Sequence, residues 1–268
     1  MTSGKKIILW FLVLGPFIGL FSLVQLTSMG LFGDLPTFEQ LENPKNNLAT
    51  EVISEDGVVL GKYFFENRSR VRYDELPENL INALIATEDV RFREHSGIDG
   101  RALLRAIFGA MTGKSSSGGA STITQQLAKM LFTDQPSSGI DRVMQKLKEW
   151  VIAAQLEKRY TKDEILSMYL NRFDWVNNAV GIKSAAGVYF NKKPFELDIK
   201  EAAMLVGMLK NPALYNPNRR LELTKGRRNV VLSQMNRYEF ISDSLFDILK
   251  NQPIVLDFKK ASHNEGLA

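Results

Sequence analysis

The 268-residue sequence contains no cysteine and only two histidines. A chain without cysteine forms neither a disulfide framework nor a thiolate metal site, and two histidines argue against a multi-histidine metal site. Acidic residues are absent before Asp34, whereas Lys5 and Lys6 precede a long apolar run. Although the net charge is only +4, this one-sided start indicates a membrane surface as a partner and not nucleic acid.

Residues 7–26 are almost all apolar, and the run is about as long as a helix needs to cross a bilayer core of roughly 30 Å. We predict an uncleaved transmembrane anchor over residues 7–29. The alternatives are a buried core helix and a cleaved signal peptide, but no small-residue cleavage pattern follows the run. The positive-inside rule then makes residues 1–6 a cytoplasmic tail and places the rest of the chain outside.

The remainder of the sequence is predicted to be one mostly α-helical domain. Residues 30–50 contain prolines and several asparagines and are predicted to be a linker. The next segment, EVISEDGVVLGKYF, alternates around Asp56-Gly57, which predicts a short β-hairpin. After Pro77 the apolar periodicity is helical nearly to the end. We therefore predict a domain over residues 51–240.

The first candidate site is the segment EDVRFREHSG, which begins at Glu88. Ile81, Leu84 and Ile85 form an apolar stripe that position 88 continues at i+7. A carboxylate on such a stripe is partly desolvated, which suits a general base. The alternative is that the helix ends there and Glu88 points into solvent. For His95, the alternative to a site residue is an ordinary position at a helix C-terminus.

The second candidate site is the segment GGASTITQQLAK, residues 118–129. Its glycines and Ser121 suit a loop that enters a helix, where free backbone N–H groups favour an anion. Thr122, Gln126 and Lys129 follow at i, i+4 and i+7 and share a face, so a phosphate or diphosphate could bind there. A solvated amphipathic helix is the alternative. The nucleotide P-loop spacing is absent.

The third candidate site combines Arg142, Lys146 and Glu149, which share a face at i, i+4 and i+7. Such a group could neutralise a leaving diphosphate, directly or through a divalent ion on Glu149. An ordinary row of surface salt bridges is the alternative. Between the first two sites lies RALLRAIFGAM, residues 101–111, which is short, apolar and basic. It is either a segment in the membrane interface or a core helix.

In order and wording, these segments resemble the peptidoglycan glycosyltransferases of class A penicillin-binding proteins and their monofunctional relatives. The resemblance covers about residues 50–235. EDVRFREHSG is similar to the family's first motif, GGASTITQQLAK to its second and KLKE at 146–149 to its third. KRYTKDEILSMYLN, AAGVYFNK and EAAMLVGMLKNPALYNP are similar to later motifs. The resemblance implies a mostly α, lysozyme-like glycosyltransferase with a large lobe and a small membrane-proximal jaw.

The resemblance also implies an activity, namely polymerisation of lipid II into β-1,4-linked glycan strands of peptidoglycan with inversion and release of undecaprenyl diphosphate. The implied catalytic residues are Glu88, as the base for the acceptor 4-hydroxyl, and Glu149, as the carboxylate near the diphosphate and ligand of Mg²⁺ or Mn²⁺. No organic cofactor is implied. The implied substrate-binding residues are Asp89, Phe92, His95, Gly97, Gly119, Thr122, Gln126, Lys129, Arg142 and Lys146.

The family resemblance implies a single-pass protein of the bacterial cytoplasmic (inner) membrane with its catalytic domain on the outer side. Its partners would be lipid II, the growing glycan strand, membrane lipids and other cell-wall synthesis proteins. Apart from Ser3 to Lys6 beside the anchor, the sequence has no Ser-x-x-Lys, the penicillin-reactive transpeptidase signature. Residues 241–268 nevertheless resemble the start of a linker to a transpeptidase domain.

Two positions depart from the family's pattern. Met130 stands where the second motif commonly has asparagine, and Gln145 stands where the third commonly has arginine. Arg142, one turn before Lys146, would supply the missing charge.

Two other functions compete with polymerisation. A lytic enzyme of lysozyme-like fold also uses a buried glutamate, but as an acid on an existing glycan, and it needs no diphosphate-binding face. Lys129 and Lys146 therefore argue against it. In a catalytically silent membrane adapter, Glu88 and Glu149 would be dispensable.

Overall fold

The computed structural model describes residues 3–37, 50–53, 59–63, 70–113, 119, 121–133, 136 and 138–259. The described chain is mostly α-helical, as predicted. Its helices are α1 (Ser3–Ser28), α2 (Glu78–Glu88), α3 (Gly100–Met111), α4 (Ile123–Phe132), α5 (Gly139–Arg159), α6 (Lys162–Arg172), α7 (Ile182–Phe190), α8 (Ile199–Met208), α9 (Leu221–Arg237) and α10 (Asp243–Asn251). Short 3₁₀ turns lie at Tyr73–Glu75 and Pro194–Glu196.

The predicted hairpin is present as a two-stranded antiparallel sheet. Strand β1 (Thr50–Ile53) pairs with β2 (Val59–Tyr63), and the register shifts between Val52 and Ile53. The predicted turn at Asp56-Gly57 lies outside the described residues.

Side chains at the helix N-termini set where the helices around the site begin. The hydroxyl of Thr122 accepts from the backbone N–H of Gln125 and starts α4. Thr161 and Glu164 form a reciprocal capping box at the start of α6. Each such cap satisfies backbone donors that the first turn leaves free and stabilises a helix by about 1 kcal/mol. The start of α4 is therefore fixed locally, next to the first candidate site.

Two groups of helices form the core behind the site. In one group α8 and α9 pack against α2, and in the other α5 and α6 pack against α4. Leu84, Leu127, Leu156 and Leu205, from α2, α4, α5 and α8, are fully buried. Burial of each such side chain stabilises the fold by about 2 kcal/mol. The C-terminal end of α2 and the N-terminal end of α4 meet where these two groups join.

Helix α1 precedes the domain and contacts α5. No helix within the described residues combines the length and the apolarity that a membrane crossing requires. The anchor over residues 7–29 therefore stays a prediction. Of the predicted linker, residues 30–37 are described, and Leu35 in this segment packs against the hydrophobic core.

Packing continues beyond residue 240, the predicted end of the domain. The Arg228 guanidinium on α9 donates to the carbonyl oxygens of Gln252 at 2.8 Å and Lys250 at 3.2 Å, so it caps the end of α10. Burial lowers the pKa of Arg228. Further on, the backbone N–H of Lys259 donates to the Val188 carbonyl of α7 at 2.9 Å. Residues 241–259 are thus docked on the helical domain.

Candidate active site

A cleft of about 850 Å³ lies among the end of α2, helix α3, the start of α4 and helix α9. Glu88, Ser121 and Gln126 line this cleft. Arg227 and Arg237 of α9 also line it. A carboxylate and several cations therefore line one open cleft, which is the arrangement expected for a charged substrate.

Glu88 is the last residue of α2 and is half-buried. Its Oε2 accepts a hydrogen bond from Gln126 Nε2 at 2.9 Å. The Tyr169 hydroxyl donates to the other end of the same amide, Gln126 Oε1, also at 2.9 Å. Burial, together with the nearby charge of Glu88, raises the pKa of Tyr169 well above its usual 10. The helix does end at Glu88, but its carboxylate lines the cleft and is held there by a defined hydrogen bond.

Asp89 connects the first motif to the second. Its buried carboxylate lies 3.0 Å from His95 Nε2 through each oxygen, and Oδ2 accepts from the Ile123 backbone N–H at 3.1 Å. Ile123 is the first residue of α4, where free N–H groups and the helix dipole favour a negative charge. The Asp89 side chain therefore fixes the end of α2 against the start of α4, and His95 pairs with it instead of capping a helix.

The remaining predicted residues of the first motif lie behind the cleft. Phe92 is completely buried in the core. Gly97 has a φ of +87°, and its carbonyl accepts from the Thr122 hydroxyl at 2.6 Å and from Gln125 Nε2 at 3.2 Å. The structure thus places Phe92, His95 and Gly97 as supports for the loop that carries Asp89, while Thr122 is both a helix cap and part of the cleft lining.

A buried charge network behind this loop had no clear signal in the sequence. Lys162 Nζ donates to Glu157 at 2.8 Å and to the His95 carbonyl at 2.6 Å, and it lies 4.3 Å from the Phe92 ring centroid. Thr124 donates to the same carboxylate at 2.5 Å. Because the network joins α4, α5, α6 and the first motif, it holds the supports of the cleft together.

The exposure of the polar side chains in the second motif increases along α4. Gly119 and Ser121 line the cleft before the helix begins, and Gln126 lines it one turn further on. Lys129 is exposed near the C-terminal end of α4. Thr122, Gln126 and Lys129 were predicted to share a face that could bind a phosphate or diphosphate. Their burial decreases from Thr122 to Lys129, because the start of α4 is packed against the first motif.

The third motif contacts the second through Lys146. Its Nζ donates to Glu149 Oε2 at 2.7 Å and to Ser121 Oγ at 2.9 Å. Glu149 is buried, whereas the Lys146 side chain is 38% exposed. Lys146 therefore reaches the edge of the cleft with its charge balanced from behind. Arg142 is exposed one turn earlier on the same helix.

The two positions that depart from the family pattern lie near these contacts. Gln145 Nε2 donates to the Thr133 hydroxyl at 3.1 Å, which joins α5 to the end of α4. Met130 is half-buried and packs against the core.

The predicted metal ligand does not stand in a metal-binding cluster. In the described part of the chain, no group of three or more histidine, cysteine, aspartate or glutamate residues could hold an ion. Glu149 is instead paired with the Lys146 ammonium group, which competes with any cation for the carboxylate. The predicted Mg²⁺ or Mn²⁺ at Glu149 stays a prediction, and the Lys146 ammonium group is the counter-ion that the structure gives this carboxylate.

Sequence reasoning missed the cations that α9 and the end of α8 contribute to the cleft. Lys210 follows α8, and Arg227 and Arg237 lie on α9. Arg227 Nε donates to the Gly207 carbonyl at 3.2 Å, which steadies its guanidinium beside the cleft. The basic run KGRR at 225–228 was the available signal, but nothing in its spacing showed which of its cations faces inward.

Comparison with known proteins shows what this chain is similar to. The family model described as Transglycosylase matches residues 56–236. Penicillin-binding protein 1A of Vibrio cholerae serotype O1 is 36% identical over 222 residues, which cover 83% of this chain and 26% of the relative. Penicillin-binding protein 1A of Escherichia coli K12 is 37% identical over 220 residues, covering 82% and 25%. Penicillin-binding protein 1F of Bacillus subtilis 168 is 35% identical over 214 residues, covering 80% and 29%.

The chain spans about a quarter of the length of these relatives. The crystal structure of penicillin-binding protein 1A from Haemophilus influenzae aligns with a TM-score of 0.44 at 23% identity, covering 80% of this chain and 22% of that one. Because the family model matches more than half of the chain and the relatives are similar over most of its length, this chain belongs to the transglycosylase family of class A penicillin-binding proteins.

Proposed function

We propose that this chain is a peptidoglycan glycosyltransferase that polymerises lipid II, with Glu88 as its general base. The observation that carries the proposal is the Glu88 carboxylate, which lines a cleft of about 850 Å³ and is oriented by Gln126 at 2.9 Å. One carboxylate oxygen accepts the amide N–H, and the other accepts no hydrogen bond from the described residues, which leaves it open to a substrate hydroxyl. That is the geometry a general base requires.

In the proposed reaction Glu88 takes the proton of the acceptor 4-hydroxyl as the oxygen attacks the anomeric carbon of the donor. The new glycosidic C–O bond forms on the face opposite the leaving group, so the configuration inverts. The bond from the anomeric carbon to the diphosphate oxygen breaks, and undecaprenyl diphosphate leaves with the bonding electrons. The proton remains on Glu88 until it passes to solvent.

The leaving diphosphate is proposed to lie against the second and third motifs. Lys146 is held at the edge of the cleft by Ser121 and Glu149, and Gly119 lies in the adjoining loop. Charge that develops on the leaving group is stabilised best by cations whose positions are already fixed. Lys129 and Arg142, both exposed, are proposed to add positive charge outside this contact.

A lipid-linked substrate requires the cleft to face a membrane, and α3 has the surface for it. Leu104 and Phe108 are 52% and 68% exposed, and Arg101 and Arg105 are exposed on the same helix. Exposed apolar side chains beside cations are typical of a helix in the lipid interface and not of a core helix. We propose that α3 belongs to a membrane-proximal jaw and that residues 7–29 anchor the chain in the cytoplasmic membrane, with the domain outside.

The proposal is tested by incubating purified protein with lipid II and resolving the products by chain length. Wild type is expected to make glycan strands, and Glu88→Gln is expected to make none, since an amide takes no proton. Glu94→Gln is the matched control, because Glu94 is exposed in the same loop. Polymer formation by Glu88→Gln at the wild-type rate would exclude Glu88 as the general base. Shortening of pre-made glycan by wild type would instead support a lytic enzyme.

A further inference from the structure

We propose that Tyr169 is a positioning residue that orients the Glu88 carboxylate through the side-chain amide of Gln126. The inference rests on the proposed role of Glu88 as the base. Tyr169 lies on α6 and bonds to Gln126, which in turn bonds to Glu88.

The three side chains form a directed chain of hydrogen bonds. The Tyr169 hydroxyl donates to Gln126 Oε1 at 2.9 Å, and Gln126 Nε2 donates to Glu88 Oε2 at 2.9 Å. A glutamine amide has an acceptor oxygen at one end and a donor nitrogen at the other. The carboxylate, which only accepts, takes the nitrogen end, and the Tyr169 hydroxyl holds the oxygen end, so the amide is fixed at both ends.

Without the hydroxyl, the Gln126 amide oxygen would lose this donor, and the amide would be held at its nitrogen end alone. Its N–H group would then be aimed at the carboxylate less firmly, and Glu88 would be free to move. Hydrogen bonds to charged groups are the strong ones, contributing about 1.5–3 kcal/mol. A correctly oriented Gln126 amide therefore stabilises the position of the Glu88 carboxylate.

Tyr169 is suited to this task because of where it lies. Its side chain is completely buried in the core, and its ring packs beside Phe173 with centroids 6.2 Å apart. The ring is thus held by packing, and its hydroxyl contacts Gln126, which lines the cleft. Its raised pKa keeps it a neutral donor at any pH at which the enzyme would work.

The test compares two buried tyrosines that lose the same atom. Tyr169→Phe is expected to lower the maximal rate of lipid II polymerisation roughly tenfold and to leave the half-saturating lipid II concentration within about twofold, since a base acts on the chemical step. Tyr189→Phe is the matched control. Tyr189 is also fully buried, and its hydroxyl donates to the Trp175 carbonyl at 2.8 Å, with no contact to the Glu88 chain. This control is expected to stay within about twofold of wild type.

A double-mutant cycle separates positioning from general damage to the fold. If Tyr169 acts through Gln126, Tyr169→Phe is expected to change the rate of Gln126→Ala by less than about twofold. The inference is overturned if Tyr169→Phe lowers the rate by the same factor in both backgrounds, or if it behaves like Tyr189→Phe. Neither result touches the proposed function, which fails if Glu88→Gln still polymerises or if wild type forms no polymer.

A second variant keeps the test open if Tyr169→Phe does not fold. Gln126→Asn shortens the amide by one methylene, so it cannot contact Tyr169 and Glu88 together. A folded Gln126→Asn protein is expected to lose maximal rate roughly tenfold, as Tyr169→Phe does. Full activity of that folded variant overturns the inference.

Discussion

Replacement of Gly97 by alanine is expected to destabilise the domain by about 3 kcal/mol. Gly97 has a φ of +87°, which costs an alanine about 1–2 kcal/mol. The added Cβ would also lie 2.9 Å from both the carbonyl carbon and the carbonyl oxygen of Ala153. Because these are backbone atoms inside α5, they cannot move aside cheaply, and such overpacking costs about 1–3 kcal/mol more.

The same change is expected to reach the active site. The Gly97 carbonyl accepts from Thr122 and from Gln125, so any shift of residue 97 disturbs the start of α4. For a domain of this size, about 3 kcal/mol corresponds to a melting temperature lower by roughly 6–12 °C. The measurement is thermal unfolding of the purified protein, followed by circular dichroism, with polymerisation assayed on the same samples.

Gly187→Ala is the matched control for Gly97→Ala. Gly187 lies inside α7, and a Cβ there would meet nothing within 4 Å. Alanine in a helix interior is favoured over glycine by about 0.5–1 kcal/mol, so this variant is expected to melt at or slightly above the wild-type temperature. If Gly97→Ala melts within about 2 °C of wild type, the strain assigned to this turn is not there.

Two further predictions concern buried charge and buried hydroxyl groups. Lys146→Met is expected to destabilise the protein by about 1–2 kcal/mol, because Glu149 is left buried without its cation; the cost is below that of a fully buried pair since Lys146 is partly exposed. Chemical unfolding should show it, and Lys158→Met, exposed in the last turn of the same helix, should be near neutral. Burial raises the pKa of Tyr189 to about 12, above its unfolded value near 10. The folded protein then holds that proton more tightly, so unfolding free energy should fall between about pH 10 and 12, and Tyr189→Phe should fall less steeply.

The helices could be predicted from the sequence because their signals are local. Apolar residues at helical spacing, such as Ile81, Leu84 and Ile85, are buried on α2 as predicted. The role of residues 241–259 could not be predicted, because docking depends on contacts distant in sequence. The guanidinium of Arg228 finds the end of α10 more than 20 residues later, and its burial reflects that contact and no local pattern.

In the candidate site, too, local features could be predicted from the sequence and distant contacts could not. Periodicity predicted a partly desolvated carboxylate at Glu88, and the structure has Glu88 half-buried, whereas the burial of Glu149 was not predicted. Spacing on one helix did not show that Asp89 would cap the next helix or that Tyr169 would contact Gln126. Those contacts join residues that are 34 and 43 positions apart, so the periodicity of a single helix does not include both partners.

Contacts of this kind also determine how variants in the motifs should be interpreted. Asp89 joins the first motif to the N-terminus of α4 at 3.1 Å, Thr122 returns a bond to Gly97 at 2.6 Å, and Lys146 joins the third motif to Ser121 at 2.9 Å. Each motif is thus held in place by the next. Substitutions in one motif must then alter the geometry of the others, and their effects on polymerisation cannot add independently. A loss of activity on changing a motif residue therefore identifies a catalytic group only when a neighbour in the same chain of contacts has been changed in parallel.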